Sequence, residues 1–241
     1  MTEREALPPP PWVRGANKPG RRNLSLDAIM DSAMRVLETE GLEATTMRRV
    51  AQDLGTGAGT LYAYVQNKAE LHELLLDAAM EPIGIPEPDP ARWREQLMDL
   101  LLDTARALIA KPGVARVALD TAIPTTPRAL RLMDGVLALL QAGGVPPRDA
   151  MAAADALSLH LTAAAYEMSL ATDPAATAEE LQRRTSHITQ YLEILPPDRL
   201  PYLRASLTLF GDDEEAQPDG LRLGLEMLLD GLLARVRPAH R

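Results

Sequence analysis

The chain contains no cysteine, which excludes disulfides, thiol catalysis, iron–sulfur clusters and zinc sites with thiolate ligands. Only 3% of its 241 residues are aromatic, and Val and Ile together number 16, whereas Leu and Ala number 40 and 37. Leu and Ala favour helices, while β-branched and aromatic residues favour strands. The composition therefore predicts an all-α fold with a substantial core, and it excludes an all-β or wholly disordered chain.

Long apolar segments and enzyme motifs are also missing. No stretch of 18 or more apolar residues occurs, and the first residues lack the apolar segment of a secretory signal. The four histidines are scattered without metal-ligand spacing, and no Gly-x-Ser-x-Gly sequence, P-loop or dinucleotide fingerprint is present. We therefore expect a soluble, cytoplasmic protein that is not an enzyme, needs no cofactor and does not enter a membrane.

The formal net charge of −9 is unevenly distributed along the chain. Residues 1–68 carry a net charge of +1, and the remaining residues carry −10. Residues 14–23 contain four basic residues and no acidic one. This distribution is compatible with DNA contact through the N-terminal end alone. The basic segment 14–22 can be interpreted as an arm for a minor groove or as a solvated tail.

Proline and glycine clusters divide the chain into three parts. Residues 1–23 contain a run of four prolines and no apolar periodicity, which predicts a disordered basic arm. Residues 24–82 hold short helical segments. Residues 83–90 include four prolines or glycines and mark a boundary. Amphipathic helices follow this boundary, so residues 83–241 are predicted to form a second, helical domain.

The segment 24–82 has the outline of a helix-turn-helix unit. Apolar residues that recur every three or four positions predict a first helix at about Leu26–Glu40. Thr46 is predicted to cap a short second helix, and a third is predicted over 58–65 after a tight turn that contains glycine. Asn67 caps a fourth helix. In such a unit the third helix enters the major groove of DNA while the second lies over the backbone.

At fixed spacing, this segment resembles the N-terminal signature of the tetracycline-repressor (TetR) family through Thr46-Met47-Arg48-Arg49-Val50-Ala51, Leu54-Gly55, Gly59-Thr60-Leu61-Tyr62 and Asn67-Lys68. The resemblance covers about residues 26–80, and a weaker one to the tetracycline repressors themselves continues to the end. It implies a transcriptional repressor that binds a palindromic operator as a homodimer and is released by a small molecule. A transcriptional activator and a regulator without a ligand, both on the same scaffold, remain alternatives.

The resemblance also implies which residues contact double-stranded operator DNA. Arg48 would read a base edge or a phosphate, small residues of the third helix would face base edges, and hydroxyl and ammonium groups would hold the backbone. The predicted DNA-binding residues are Thr46, Arg48, Ala58, Gly59, Thr60, Tyr62, Tyr64 and Lys68.

The effector pocket is expected in the C-terminal part. Where the tetracycline repressors hold the drug and its metal with an Asn and a His, this chain has Leu100 and Ala118. A magnesium–tetracycline effector and a metal site are therefore not expected, and a largely apolar small molecule is. The predicted pocket residues are Leu100, Thr104, Ala118, His160, Thr162, Tyr166 and Glu167.

Two apolar helices are predicted to join the protomers, Pro147–Ala171 and Leu221–Val236. Between residues 156 and 171 the only formal charge is Glu167, so most faces of the first helix must be covered. Packed against their symmetry mates, the two helices would form a four-helix bundle. A charge at Leu228 or Leu229 is expected to give monomers.

Overall fold

The computed structural model describes residues 24–111, 113–121, 125–170, 178–208 and 220–236, and within these ranges it has eleven helices and no strand. The helices are α1 (Leu26–Glu40), α2 (Met47–Asp53), α3 (Ala58–Leu61), α4 (Lys68–Ala79), α5 (Trp93–Ile109), α6 (Val114–Asp120), α7 (Pro127–Ala142), α8 (Pro147–Leu170), α9 (Ala178–Ile194), α10 (Pro201–Thr208) and α11 (Gly220–Val236). Among these helices, none is long and apolar enough to cross a bilayer. The predicted arm 1–23 and the predicted end of α8 at Ala171 lie outside the described residues.

Helices α1–α4 form a small helical unit at the N-terminus, which we call the head. The Ser25 side chain caps α1 by accepting a hydrogen bond from the Ala28 amide at 3.1 Å. Gly41 ends α1 with φ at +83°, a conformation that glycine adopts without strain. The head core is formed by fully buried aliphatic side chains from all four helices, namely Ile29, Leu37, Val50, Leu61, Leu71 and Leu75.

The third helix is shorter than the predicted segment 58–65. It ends at Leu61, and the amides of Ala63 and Tyr64 then bond carbonyls three residues earlier. Hydrogen bonds between residues three apart are the pattern of tighter, 3₁₀-type turns, so the chain keeps turning after Leu61 but is no longer an α-helix. The apolar spacing still has its expected effect, because Leu61 and Val65 are both fully buried.

The remaining helices centre on α8, which packs against α5, α6, α7 and α11. Its buried positions include Ala154, Leu157 and Leu161. Near the start of α5, the Trp93 ring lies so close to Gly143 that a β-carbon at that glycine would overlap the ring. Gly143 therefore allows the end of α7 to pack directly on Trp93.

Candidate DNA-binding face and ligand cavity

Polar contacts hold α2 on α1. The Asp53 carboxylate accepts hydrogen bonds from the Ser32 hydroxyl at 2.7 Å and from the Arg35 guanidinium at 2.8 Å. These two bonds hold the pKa of Asp53 below its ordinary value. Arg49 pairs with Glu40 at the end of α1 through two guanidinium nitrogens. The second helix is thus oriented by charged groups at both of its ends.

The cap of α2 and the following turn set the course of the chain into α3. The Thr46 hydroxyl accepts a hydrogen bond from the Arg49 amide at 3.2 Å, as the capping prediction requires. Gly55 has φ at +64°, and the Thr56 amide bonds the Ala51 carbonyl at 2.9 Å. The head therefore has the short helix, tight turn and short helix of a helix-turn-helix unit.

Five of the eight predicted DNA-binding residues are exposed in the free protein, namely Arg48, Gly59, Thr60, Tyr62 and Lys68. Tyr62 is 52% exposed, so its hydroxyl can reach a phosphate. Lys68 lies 3.7 Å from Glu43, whose side chain is 98% exposed. An ion pair that is this exposed to solvent contributes little to stability. Lys68 is therefore available to exchange Glu43 for another anion, such as a phosphate.

The other three, Thr46, Ala58 and Tyr64, are half-buried. The Tyr64 hydroxyl donates a hydrogen bond to the Leu24 carbonyl at 3.0 Å, which ties the segment after α3 to the start of α1. Its proton is therefore used inside the head, contrary to the predicted role as a donor to DNA. Ala58 packs partly against the head core.

His72 connects α4 to the loop before α2. Its Nε2 lies 3.2 Å from the Thr45 carbonyl, and because that carbonyl can only accept, Nε2 carries the proton. Burial lowers the pKa of His72 below its ordinary value, and the hydrogen bond to Thr45 offsets this effect only in part. The neutral ring is thus the form that suits this position.

A cavity of about 210 Å³ lies between α4, α5, α6, α7 and α8. Most of its wall is aliphatic, formed by Leu76, Met80, Leu101, Leu108, Ala118, Leu119, Ala129, Leu132, Met133, Val136, Ala154, Leu159 and Leu161. The polar part of the wall comprises Thr104, Thr121, Asp155, Ser158 and Thr162. An apolar hollow with a few polar groups is the usual form of a small-molecule site.

Three of the seven predicted pocket residues line this cavity: Thr104, Ala118 and Thr162. Leu100 is buried beside Gly135 and does not line the cavity.

The structure places the other three predicted pocket residues of α8 away from this cavity. His160 points to Gly224 in α11, so closely that a β-carbon on the glycine would overlap the ring. Tyr166 lies beside Arg116, whose guanidinium is 5.9 Å from the ring centroid, and Glu167 is exposed. None of these three side chains lines the cavity. Each residue of an α-helix is rotated by about 100° from the last, so His160 faces nearly opposite to Thr162.

Sequence reasoning missed Asp155, Ser158 and Thr121. The first two precede Thr162 with spacings of seven and four residues, which place all three on one face of α8. The spacing groups these three polar residues, but a polar stripe equally fits a face in contact with solvent, so it does not by itself identify a cavity wall. Thr121 follows the end of α6, and no pattern in the sequence marks it.

The cavity and the head share structural elements. Leu76 of α4 lines the cavity, while Leu71 and Leu75 of the same helix are buried in the head core. Gly113, which precedes α6, has φ at +79°, and a β-carbon there would lie 2.7 Å from Leu42 Cβ in the head. The other end of α6 supplies Ala118 to the cavity. Both α4 and α6 therefore extend from the cavity to the head.

A charged cluster adds a further connection between the head and α7. The Asp77 carboxylate accepts hydrogen bonds from the Arg128 amide at 2.9 Å and from its guanidinium at 2.8 Å. A second guanidinium nitrogen lies 3.0 Å from Glu81. The Asp77 side chain is only 10% exposed, so the Arg128 amide and guanidinium take the place of the water that an exposed carboxylate would bind.

The groove between α8 and α11 leaves apolar side chains exposed. Met227 is 66% exposed, and Leu228, which lines the groove, is 39% exposed. Leu229 also borders the groove but is 1% exposed and belongs to the core. A charge at Leu229 would therefore disrupt the protomer itself, so this variant does not test the predicted dimer interface.

Two segments of the chain match described protein families. Residues 29–75 match bacterial regulatory proteins of the tetR family, and residues 85–236 match the tetracyclin repressor-like C-terminal domain. The second match alone spans more than half of the chain.

Individual relatives agree with these matches. The HTH-type transcriptional repressor DrrR1 of Streptomyces coeruleorubidus is 31% identical over 216 residues, which are 87% of this chain and 77% of that protein. The class D tetracycline repressor protein of Escherichia coli is 26% identical over 211 residues, or 86% and 88% of the two chains. The crystal structure of the TetR family protein ActR from Streptomyces coelicolor in complex with actinorhodin has a TM-score of 0.78 at 33% identity, covering 91% and 100%.

Proposed function

Because this chain belongs to the TetR family of bacterial transcriptional regulators, we propose that it is a repressor whose homodimer binds a palindromic operator and is released by a small, largely apolar molecule. The observation that carries the proposal is the double role of α4. Its residues line the cavity at Leu76 and form the head core at Leu71 and Leu75. A ligand that changes the position of α4 therefore changes the position of the head.

The DNA-binding role rests on the exposed groups of the head. Arg48 makes no ion pair with any residue that the structure describes, and its guanidinium is free to bind a guanine edge or a phosphate. Tyr62, Thr60 and Lys68 supply donors to the phosphate backbone. The Thr46 hydroxyl oxygen caps α2 by accepting a hydrogen bond, and its proton is still available for donation to the phosphate backbone. Affinity in this proposal comes mainly from backbone contacts, and base preference comes mainly from Arg48.

The effector proposal rests on the cavity and on a solved relative. ActR was crystallised with actinorhodin, which supports a small-molecule ligand for this chain as well. The cavity here is mainly aliphatic and about 210 Å³ in volume, which favours a compact apolar effector. Thr104 and Thr162 are placed to orient it.

We further infer that a second copy of the chain covers the groove between α8 and α11. Exposed Met227 and Leu228 would be buried in a four-helix bundle formed with the partner. A two-fold interface uses the same surface on both protomers and sets two heads at a fixed spacing, which matches a palindromic operator.

Effector release follows from differential binding to two arrangements of the heads. A ligand that binds better when the heads are misaligned lowers operator affinity, and the operator lowers ligand affinity by the same factor. That factor cannot exceed the ratio of the ligand's affinities for the two arrangements.

The direct test is selection of a binding site from a random duplex pool at physiological salt, followed by titration of the winning duplex. We expect a palindromic winner bound by two protomers. Failure to enrich any sequence would refute sequence-specific repression.

Ala118→Trp should fill the cavity and keep operator binding while abolishing release by 1-naphthylmethanol. Leu130→Trp, on the exposed face of α7 and away from the cavity, is the control and should respond like the native protein.

A further inference from the structure

Two of the four hydroxyl groups that line the cavity, those of Thr104 and Thr121, are oriented to accept hydrogen bonds from a ligand. The Thr104 hydroxyl donates its proton to the Leu100 carbonyl at 2.8 Å, and the Thr121 hydroxyl donates to the Val117 carbonyl at 2.8 Å. Each hydroxyl has one proton, so both present only lone pairs to a ligand. A ligand that meets these oxygens must therefore carry donors.

The charge of the cavity wall has a single sign. Among the described residues, Asp155 is the only charged one that lines it, and none of the described lining residues is Lys, Arg or His. In the part of the chain that the structure describes, Asp155 forms no ion pair. Arg116 of the neighbouring helix α6 is bound to Asp120 at 2.8 Å and does not line the cavity. An anionic ligand would find no positive partner here and would meet a carboxylate.

The cavity wall has an exposed part and a buried part. Asp155, Ser158 and Leu159 are exposed, with Leu159 at 61%, and so they form the mouth. Leu101, Leu108 and Leu161 are buried and form the inner wall. The site therefore offers an apolar interior and a carboxylate at its entrance.

We propose that the effector is an amphiphilic cation whose compact apolar body fills the cavity while its protonated amine binds Asp155 at the mouth. This proposal rests on the proposed function, since it assigns the chemistry of that same effector site. An ammonium group has three donors and no acceptor, which suits the Asp155 carboxylate, while any polar group on the body of the ligand that meets Thr104 or Thr121 has to be a donor.

Three isosteric probes of the dimer test the proposal: 1-naphthylmethylamine, 1-naphthylmethanol and 1-naphthoic acid. They have the same ring system and differ mainly in charge. We expect the ammonium probe to bind about two- to fivefold more tightly than the alcohol, as for a solvent-accessible charge-assisted pair, and the carboxylate to bind most weakly. Isothermal titration at about 50 mM and about 500 mM salt should show that the ammonium preference falls as salt screens the mouth.

Matched variants assign the preference to one carboxylate. Asp155→Asn should reduce the ratio of ammonium to alcohol affinity to about one while leaving the affinity for 1-naphthylmethanol unchanged. Asp134→Asn makes the same charge change at an exposed position of α7 that does not line the cavity, and it should keep the native ratio. Circular dichroism of both variants verifies that they fold.

The outcomes separate this proposal from the proposed function. If the alcohol binds as well as the amine, or if Asp155→Asn keeps the native ratio, the cationic effector is refuted while an apolar effector site remains. If the carboxylate binds best, the proposal is also refuted. If no probe binds, or if all bind Ala118→Trp as tightly as the native protein, the cavity is not the effector site. Either of these two results overturns both the cationic effector and the proposed effector role of the cavity.

Discussion

Replacing Arg128 by Met is expected to lower the free energy of unfolding by ~2 kcal/mol, because it leaves the Asp77 carboxylate nearly buried without its cationic partner. In the native protein that carboxylate accepts hydrogen bonds from the Arg128 guanidinium at 2.8 Å and from the Arg128 amide at 2.9 Å. The variant loses the first and retains the second. A Met side chain preserves most of the aliphatic stem.

The magnitude follows from burial and bond type. Losing a hydrogen bond to a charged group costs ~1.5–3 kcal/mol, and breaking a fully buried ion pair costs ~3–5 kcal/mol. Asp77 is 10% exposed, but Arg128 is 37% exposed, so the pair is only partly desolvated. The expected loss of unfolding free energy therefore lies in the range for a lost hydrogen bond to a charged group and below that for a fully buried ion pair. The outer pair between Arg128 and Glu81 is open to solvent and contributes ~0–1 kcal/mol.

The assay is urea unfolding followed by circular dichroism at fixed protomer concentration, since association contributes to the stability of a dimer. Glu81→Gln is the matched control and should change the free energy of unfolding by less than ~1 kcal/mol. Asp77→Asn keeps an acceptor for the Arg128 amide. Its combination with Arg128→Met gives a double-mutant cycle, which should yield a coupling energy of ~1–2 kcal/mol.

A loss in Arg128→Met no larger than in Glu81→Gln would refute this reasoning, because it would mean that the Asp77 charge needs no partner. Additive effects of Asp77→Asn and Arg128→Met would contradict it too. If the coupling is found, Arg128→Met should also alter the response of the operator complex to ligand, since the pair joins the head to α7.

Three further predictions concern DNA, pH and assembly. Lys68→Ala should weaken binding to all duplexes and lower the salt slope by about one, whereas Arg48→Ala should relax preference at one base position by ~1–3 kcal/mol. Equal losses for Arg48→Ala on every operator variant would make it a phosphate contact only. Because burial lowers the pKa of His72, the neutral ring stabilises the folded state above its ordinary pKa of about 6.5, and this contribution is lost as pH falls below that value. Urea unfolding at about pH 7.5 and about pH 5.5 should therefore show a smaller pH effect in His72→Gln, and an unchanged effect would contradict the assignment. Met227→Glu should raise the dimer dissociation constant roughly 30-fold or more in sedimentation, as for an interface hot spot. Leu130→Glu on α7 should sediment like the native protein, and a fully dimeric Met227→Glu would refute the proposed interface.

Much of the head could be predicted from the sequence because its signals are local. Ser25, Thr46 and Asn67 each accept a hydrogen bond from an amide three residues later, as their positions before apolar periodic segments predict. The capping and periodicity act within a few residues, so no tertiary contact is needed to recognise them.

The use of individual hydroxyl groups depends on contacts between distant residues. Tyr64 and Tyr62 both carry hydroxyls near the third helix, and the sequence does not distinguish them. The structure does, because the Tyr64 hydroxyl meets the Leu24 carbonyl, 40 positions away, while Tyr62 remains 52% exposed. Long-range pairing of this kind leaves no periodic pattern.

The sequence by itself determined the all-helical class, the position of the helix-turn-helix unit and the family resemblance, because composition, caps and motif spacing are local properties of the chain. Only the tertiary structure decided which face of α8 lines the cavity. That helix is apolar on nearly all sides, so its hydrophobic pattern does not identify one inward face. Its neighbours α5, α6, α7 and α11 surround it, and their packing turns Asp155 and Thr162 toward the cavity and His160 toward Gly224.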